Sequence, residues 1–247
     1  MKVLPAALVV CFLAFAICVP ANATLITVTP ADGNGVDDDV IENNANNNSG
    51  TGRTFLELRS RDVTSTTRHR VPFLRFDISV IPSGETVSGA TLSWFHEAGG
   101  SGFDVDVFGV VDGVTGEGNW TASGLTYNSA PGFSTANYPN PDRNHTAGET
   151  TFLGSVSVTG SGSHSLSSAG LRSFLNADTN GVATFILEAQ EAASGQDFYN
   201  NISSAENSTA SQRPQLQLLT VVPEPTTLLI WSLLAGLGVG LGWRRRK

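Results

Sequence analysis

Phe103-Asp104-Val105-Asp106-Val107-Phe108-Gly109-Val110-Val111 is the stretch that decides the fold class. Phe103, Val105 and Val107 alternate with Asp104 and Asp106, so successive side chains must leave the backbone on opposite sides. An extended strand does this and a helix does not. One face of such a strand is apolar and meets a core, while the other carries carboxylates toward water. The same period of two recurs in both directions along the chain. Phe55 to Arg59 sets Leu56 and Leu58 against Phe55, Glu57 and Arg59, and Phe73 to Ser79 sets Leu74, Phe76 and Ile78 against Arg75 and Asp77. Val87 to Phe95 carries Leu92 and Trp94, and Phe152 to Val158, Ala183 to Ala189 and Leu216 to Val221 complete the series. Only Ser168 to Leu175 has helical spacing, with Leu171, Phe174 and Leu175 on one face. Short apolar runs parted by Gly, Asn, Ser and Asp predict an all-β protein, a β-sandwich of jelly-roll type. Asp32 to Gly52 and Ser129 to Thr150 read as long loops, and no internal repeat is evident.

Charge narrows the partners. From Thr24 to Val222 there are nine arginines and no lysine against 21 carboxylates, a net charge of −12. This argues against nucleic acid or anionic lipid as a partner, because phosphate binding needs basic patches. Divalent cations are permitted. About 200 residues can bury a core without disulfides, and none is available here: Cys11 and Cys18 both precede residue 24.

The two ends read as processing signals. Lys2, the apolar run Ala6 to Val19 and the small-residue site Ala21-Asn22-Ala23 form a signal peptide over residues 1–23, with the mature chain starting at Thr24. Residues 24–221 form one domain, and residues 222–247 a separate segment. There, Pro223-Glu224-Pro225 opens the run Thr226 to Trp243, which holds no charged residue, and Arg244, Arg245, Arg246 and Lys247 follow. As a helix, 18 residues rising about 1.5 Å each cross most of a bilayer core about 30 Å thick, leaving the basic tail on the cytoplasmic side. This segment resembles the PEP-CTERM sorting signal. The resemblance implies reading by a membrane-embedded exosortase in a Gram-negative-type bacterium, an inner-membrane-anchored intermediate, and delivery to the cell surface or extracellular matrix. The alternative is an ordinary single-pass anchor. Both place the body outside the cytoplasm.

Three markers in the body carry a second resemblance. The first is Arg70-Val71-Pro72-Phe73-Leu74-Arg75-Phe76-Asp77-Ile78, continuing through Ile81-Pro82-Ser83-Gly84 to Val87-Ser88-Gly89-Ala90-Thr91-Leu92. The second is Trp120 with Leu125-Thr126-Tyr127-Asn128-Ser129-Ala130-Pro131-Gly132, and the third Ser203-Ser204-Ala205-Glu206 leading to Arg213-Pro214-Gln215-Leu216. In this order they are similar to the DNRLRE-type domain, related to carbohydrate-binding modules, with Tyr127 where that family usually has Trp. The resemblance implies a jelly-roll sandwich and a glycan ligand. Arg75 and Asp77 share a strand face and are expected to pair with Glu206 and Arg213 of the closing segment; Trp120 is expected to lie over the core.

Catalytic chemistry finds little support. His69, His96, His145 and His164 are scattered without metal spacing, and no Gly-x-Ser-x-Gly elbow or mature cysteine offers a nucleophile. Asp104 with Asp106, His96 with Glu97, and Arg143 with His145 are the remaining pairs, and no spacing demands a reaction from them, so the protein is expected not to be an enzyme. Asp32-Gly33-Asn34-Gly35-Val36-Asp37-Asp38-Asp39 has the composition of a calcium loop, with Asp32, Asn34, Asp37 and Asp39 as candidate oxygen ligands. For a sugar, flat rings outside the clear strands are the natural platforms. Phe133, Tyr138 and Tyr199 are the candidates. The expected function is binding or organising polysaccharide at the cell surface. The rivals are a purely structural matrix component and a polysaccharide-degrading enzyme.

Overall fold

The computed structural model describes residues 23–41, 52–61, 69–97, 102–133, 145–146, 148–190 and 196–222. The strands are β1 (Ala23–Val28), β2 (Val36–Ile41), β3 (Phe55–Arg61), β4 (Arg70–Asp77), β5 (Thr86–His96), β6 (Phe103–Val110), β7 (Thr150–Val158), β8 (Gly162–Leu166), β9 (Val182–Ala189), β10 (Asp197–Ser203) and β11 (Gln215–Val221). One helix, α1 (Ala169–Ala177), precedes β9. Every pairing among these strands is antiparallel, in the order β1-β11-β5-β10-β3-β4-β9-β6-β7, with β2 added beside β4 and β8 beside β5. Leu92 pairs with both Leu216 and Leu166, so β11 and β8 flank β5. Phe73 pairs with both Asp38 and Ile186, so β2 and β9 flank β4. The protein is thus all-β, an open antiparallel sheet folded into a sandwich-like body.

The main core explains why the sheet folds over. Leu74 and Phe76 of β4, Phe185 and Leu187 of β9, and Val105 and Val107 of β6 cluster with Leu92 and Trp94 of β5 and Leu216 and Leu218 of β11. Each of these side chains is almost wholly removed from water, and burying one stabilises the fold by roughly 1.5–3 kcal/mol. A second core lies on the other side of β4, β9 and β6. There Val71, Phe73, Ile186 and Val110 are covered by Trp120, Leu125 and Ala130 of the irregular segment after β6. The strand β4 is therefore buried on both faces, which is why Arg75 and Asp77 are buried alongside Leu74 and Phe76. Trp120 does lie over a core, 6% exposed.

Helix α1 forms where its spacing indicated. Ser168 caps it, the side-chain oxygen accepting from the Leu171 backbone N–H at 2.9 Å, and Leu171 and Leu175 point into the main core. Gly109 makes room for it: a Cβ there would stand 2.6 Å from the Phe174 ring.

Four strands were not legible by alternation. The segment read as one long loop from Asp32 contains β2, in which Asp37, Asp38 and Asp39 are buried. Consecutive aspartates argue against a strand by propensity, but here β2 completes the β4 edge and the backbone N–H groups of Ala205, Asp39 and Glu57 meet the three carboxyls. Tyr199 lies not outside the strands but in β10 beside Asn200 and Asn201, held by pairing with β3. The strands β1 and β8 also went unread. The expected mature start at Thr24 falls at the second residue of β1. Residues 1–22 of the expected signal peptide, Ala21 included, and the apolar run Thr226 to Trp243 lie outside the described residues, while Ala23 opens β1; among the described residues no helix is long and apolar enough to cross a membrane.

Candidate ligand-binding face

Register assembles a row of rings on the outer side of β4, β9, β6 and β7. Ile186 pairs with Phe73 on one side and Phe108 on the other, and Phe108 pairs with Phe152. Phe108 shares its strand face with Asp104 and Asp106, opposite the core residues Val105 and Val107. The Phe108 and Phe152 rings are 5.5 Å apart, and Phe152 is 54% exposed at the sheet edge. His145 stacks on Phe108 at 4.1 Å and meets Phe133 at 5.3 Å, the two joined by an isolated β-bridge. Phe133 leans in turn on Phe73 at 5.4 Å and on Tyr127 at 6.3 Å. The result is a continuous run of rings from the second core to the surface.

Polar groups flank the run one register step away. Glu188 pairs with Asp106, and Asp106 with Ser155. The Ser155 hydroxyl donates to Asp106, and that of Ser157 to Asp104. His145 Nε2 stands 3.0 Å from a Glu188 carboxylate oxygen. On the other side of Phe133 opens a cleft of about 530 Å³, lined by Asn119, Trp120, Asn128, Ser129, Phe133 and Glu149 among others. Rings beside carboxylates, hydroxyls and amides suit a polyhydroxylated ligand, whose C–H faces stack while its hydroxyls bond.

Behind the cleft, Arg75 sets the position of Trp120. Its guanidinium donates to the Trp120 carbonyl at 2.5 Å and to the Asn34 carbonyl at 2.8 Å, and lies 5.3 Å from the indole centroid. The indole N–H donates to Thr184 at 3.3 Å. Burial lowers the Arg75 pKa from its ordinary value. Asp77 accepts from Ser79 and from the Asn34 N–H, bonds that hold its carboxyl below the usual range. The expected pairing of Arg75 and Asp77 with Glu206 and Arg213 therefore does not form. Both residues face the entry loop and the Trp120 segment, whereas Arg213 donates to the Asn207 carbonyl. A strand buried on both sides takes its polar partners from whatever covers it.

The other candidate residues are dispersed. Tyr199 sits 43% exposed on β10, with Arg59 5.4 Å from its ring centroid and its hydroxyl 3.3 Å from Glu57, away from Phe133 in the fold. Tyr138 and Arg143 lie outside the described residues. His96 is fully buried; its Nε2 accepts from Trp94 at 2.8 Å, and burial pushes its pKa down to about 4, so it is a neutral core residue. Glu97 is taken by Ser203 and Asn207, each at 3.0 Å.

The calcium candidates are not brought into one cradle. Asp32 caps its own turn, accepting from the Thr29 N–H at 2.7 Å. Asn34 spends its backbone on Arg75 and Asp77. Asp37 accepts from the Ala205 N–H at 2.7 Å, and Asp39 from the Glu57 N–H at 2.5 Å with Arg53 nearby at 3.8 Å. Burial raises Asp37 and Asp39 to about 7 each, with a Glu206 carboxyl in contact adding to the effect at Asp37. Asp38, on the opposite face, is raised to about 8, also by burial. Among the described residues no group of three or more His, Cys, Asp or Glu is disposed to hold a metal ion.

Sequence reasoning missed Phe108, Phe152 and the His145–Glu188 pair. A signal existed for Phe108: it is an aromatic on the same strand face as Asp104 and Asp106, where only solvent-facing residues were expected.

No curated protein matches the chain. Residues 221–247 match the PEP-CTERM protein-sorting motif. That motif supports exosortase-type sorting, through export and a membrane-anchored intermediate, to the cell surface.

Proposed function

We propose that this protein is a non-enzymatic, surface-displayed jelly-roll module of the DNRLRE type that binds polysaccharide in the extracellular matrix. The observation that carries the reading is the ring run ending in Phe152, 54% exposed beside Asp106 and Ser155 and continuous through Phe108 and His145 with Phe133. A buried aromatic is closed to a ligand, whereas a half-exposed ring at the end of such a run offers a flat face on which one can stack. The C-terminal motif supplies the setting, since a surface protein meets the cell's own polymers first. Affinity electrophoresis of the exported protein in gels containing alginate, pectin or the host exopolysaccharide tests the reading. Retardation by one polymer, abolished by Phe152→Ala with an unchanged melting point, supports it. Free migration in all of them favours a structural matrix component.

A second reading rests on His145 and Glu188, 3.0 Å apart beside that surface and able to act as an acid–base pair. It is polysaccharide cleavage, and it requires new reducing ends or unsaturated products that disappear in His145→Ala.

A further inference from the structure

The sorting motif begins where the last strand ends. β11 closes at Val221, the first residue of the matched motif, and β11 is paired along its length with β1, Ala23 opposite Val221. Only Val222 and Pro223-Glu224-Pro225 separate this sheet edge from the uncharged run that starts at Thr226. At 3.3–3.6 Å per residue, the three residues of Pro223-Glu224-Pro225 reach about 10 Å. A bilayer-inserted run would therefore hold the β1–β11 edge against the lipid headgroups.

The surface presented at that edge is unlike the rest of the domain. β1, β11, β5 and β8 contain no Asp, Glu, Lys or Arg, although the body as a whole carries a net charge of −12. Leu25 and Leu219 are cross-strand partners on the outer side, with Gly89 next in the row. Leu25 is 66% exposed, Leu219 39% and Val222 51%, half of the six large exposed hydrophobics among the described residues. Thr27, Gln217 and Thr91 form the adjacent row. Among the described residues, the charged groups hydrogen-bonded to these strands include Glu85, bonded to Thr220, and Arg172, bonded to the Ser88 carbonyl.

An acidic surface is repelled by a bacterial membrane and an uncharged one is not. We propose that the outer face of β1 and β11, centred on Leu25, Leu219 and Val222, is a membrane-contact surface on which the domain rests until the sorting segment is processed. The face has small hydroxyl and amide side chains for the headgroup region and two leucines to enter it, and interfacial binding grows with the apolar area buried. The consequence is orientation. The ring run around Phe133 and Phe152 lies on the outer side of the opposite layer and would face away from the membrane, toward the matrix. The proposal rests on the sorting reading but not on any glycan.

The test uses the chain from Thr24 to Lys247, which holds no cysteine, reconstituted into phosphatidylcholine vesicles that contain a lipid with a nitroxide headgroup. A fluorophore on Leu25→Cys is compared with one on Ser157→Cys, an exposed position on the opposite layer. Several-fold stronger quenching at residue 25 is expected, and Leu219→Glu should reduce it for a label on Thr27→Cys at unchanged circular dichroism. Equal quenching at residues 25 and 157 in vesicle-bound protein overturns the docking. Failure of the chain to float with vesicles overturns the anchor beneath it. Flotation separates the two.

Discussion

Replacing Asp37 with asparagine should stabilise the domain at pH 8 and change little near pH 4. Asp37 is 5% exposed, and its pKa is raised from 3.8 to about 7, first by burial and then by the neighbouring Glu206 carboxylate. Between those two values the folded state holds a proton that the unfolded chain has released. The slope of unfolding free energy with pH is therefore negative there: stability is full below about 4, falls as pH rises, and levels off above about 7. Three pKa units at about 1.4 kcal/mol each give a penalty on the order of 4 kcal/mol at pH 8. Asparagine removes the ionisation while keeping an oxygen to accept from the Ala205 N–H, and its amide can donate to Glu206. A gain of about 2–4 kcal/mol at pH 8 corresponds to roughly 4–16 °C in Tm for a domain of this size. His96 runs the other way: its pKa is lowered to about 4, so its contribution is lost as pH falls from about 6.5 toward 4. It is common to both proteins and cancels in the difference. Differential scanning calorimetry at pH 4.5 and pH 8 of wild type and variant gives that difference. Equal destabilisation of Asp37→Asn at both pH values would refute the reasoning, because it would show that the carboxyl is already ionised and well satisfied when buried.

Other outcomes follow from packing and capping. Gly109→Ala should cost about 1–3 kcal/mol in urea unfolding, since its Cβ would meet the Phe174 ring at 2.6 Å. Phe174→Leu should recover part of that loss in the double variant. Ser168→Ala should lower stability by about 1 kcal/mol through the lost cap on the Leu171 N–H and the lost bond to the Leu153 carbonyl, with a smaller effect from Ser168→Thr, which keeps a hydroxyl for both. Adding a chelator should leave the melting midpoint unchanged, because the acidic entry segment is a buried strand; a fall of several degrees would reveal a bound divalent ion. Intact-mass measurement of surface-released protein should find the chain from Thr226 onward missing, while a mature chain still ending at Lys247 would favour a permanent anchor.

Much of the sheet was legible because alternation is local. Leu74, Phe76, Val105 and Val107 announce their face by spacing alone, and all four are buried in the main core. Ser168 and the Leu171, Phe174, Leu175 face likewise marked α1. The strands that escaped are those whose stability comes from neighbours. β2 carries three buried aspartates because the Ala205, Glu57 and Asp39 N–H groups meet them, and β10 takes its order from pairing with β3. Of the proposed binding residues, Phe133 stands in the ring run, but Tyr199 belongs to another part of the sheet. Phe108 and Phe152 could not be matched from sequence, since cross-strand register brings together residues 44 positions apart.

What the sequence by itself determined is the class of the fold and the address of the protein. Period-two hydrophobicity, the absence of cysteine beyond Cys18 and the C-terminal motif are properties of neighbouring residues, readable without a fold. Only the tertiary structure decided which acids are pushed above the usual carboxylate range, which rings share a surface, and that the sorting motif emerges from an uncharged sheet edge. Those depend on desolvation and on contacts between distant strands, and the free energy of a contact belongs to the pair that makes it, which no single stretch of chain contains.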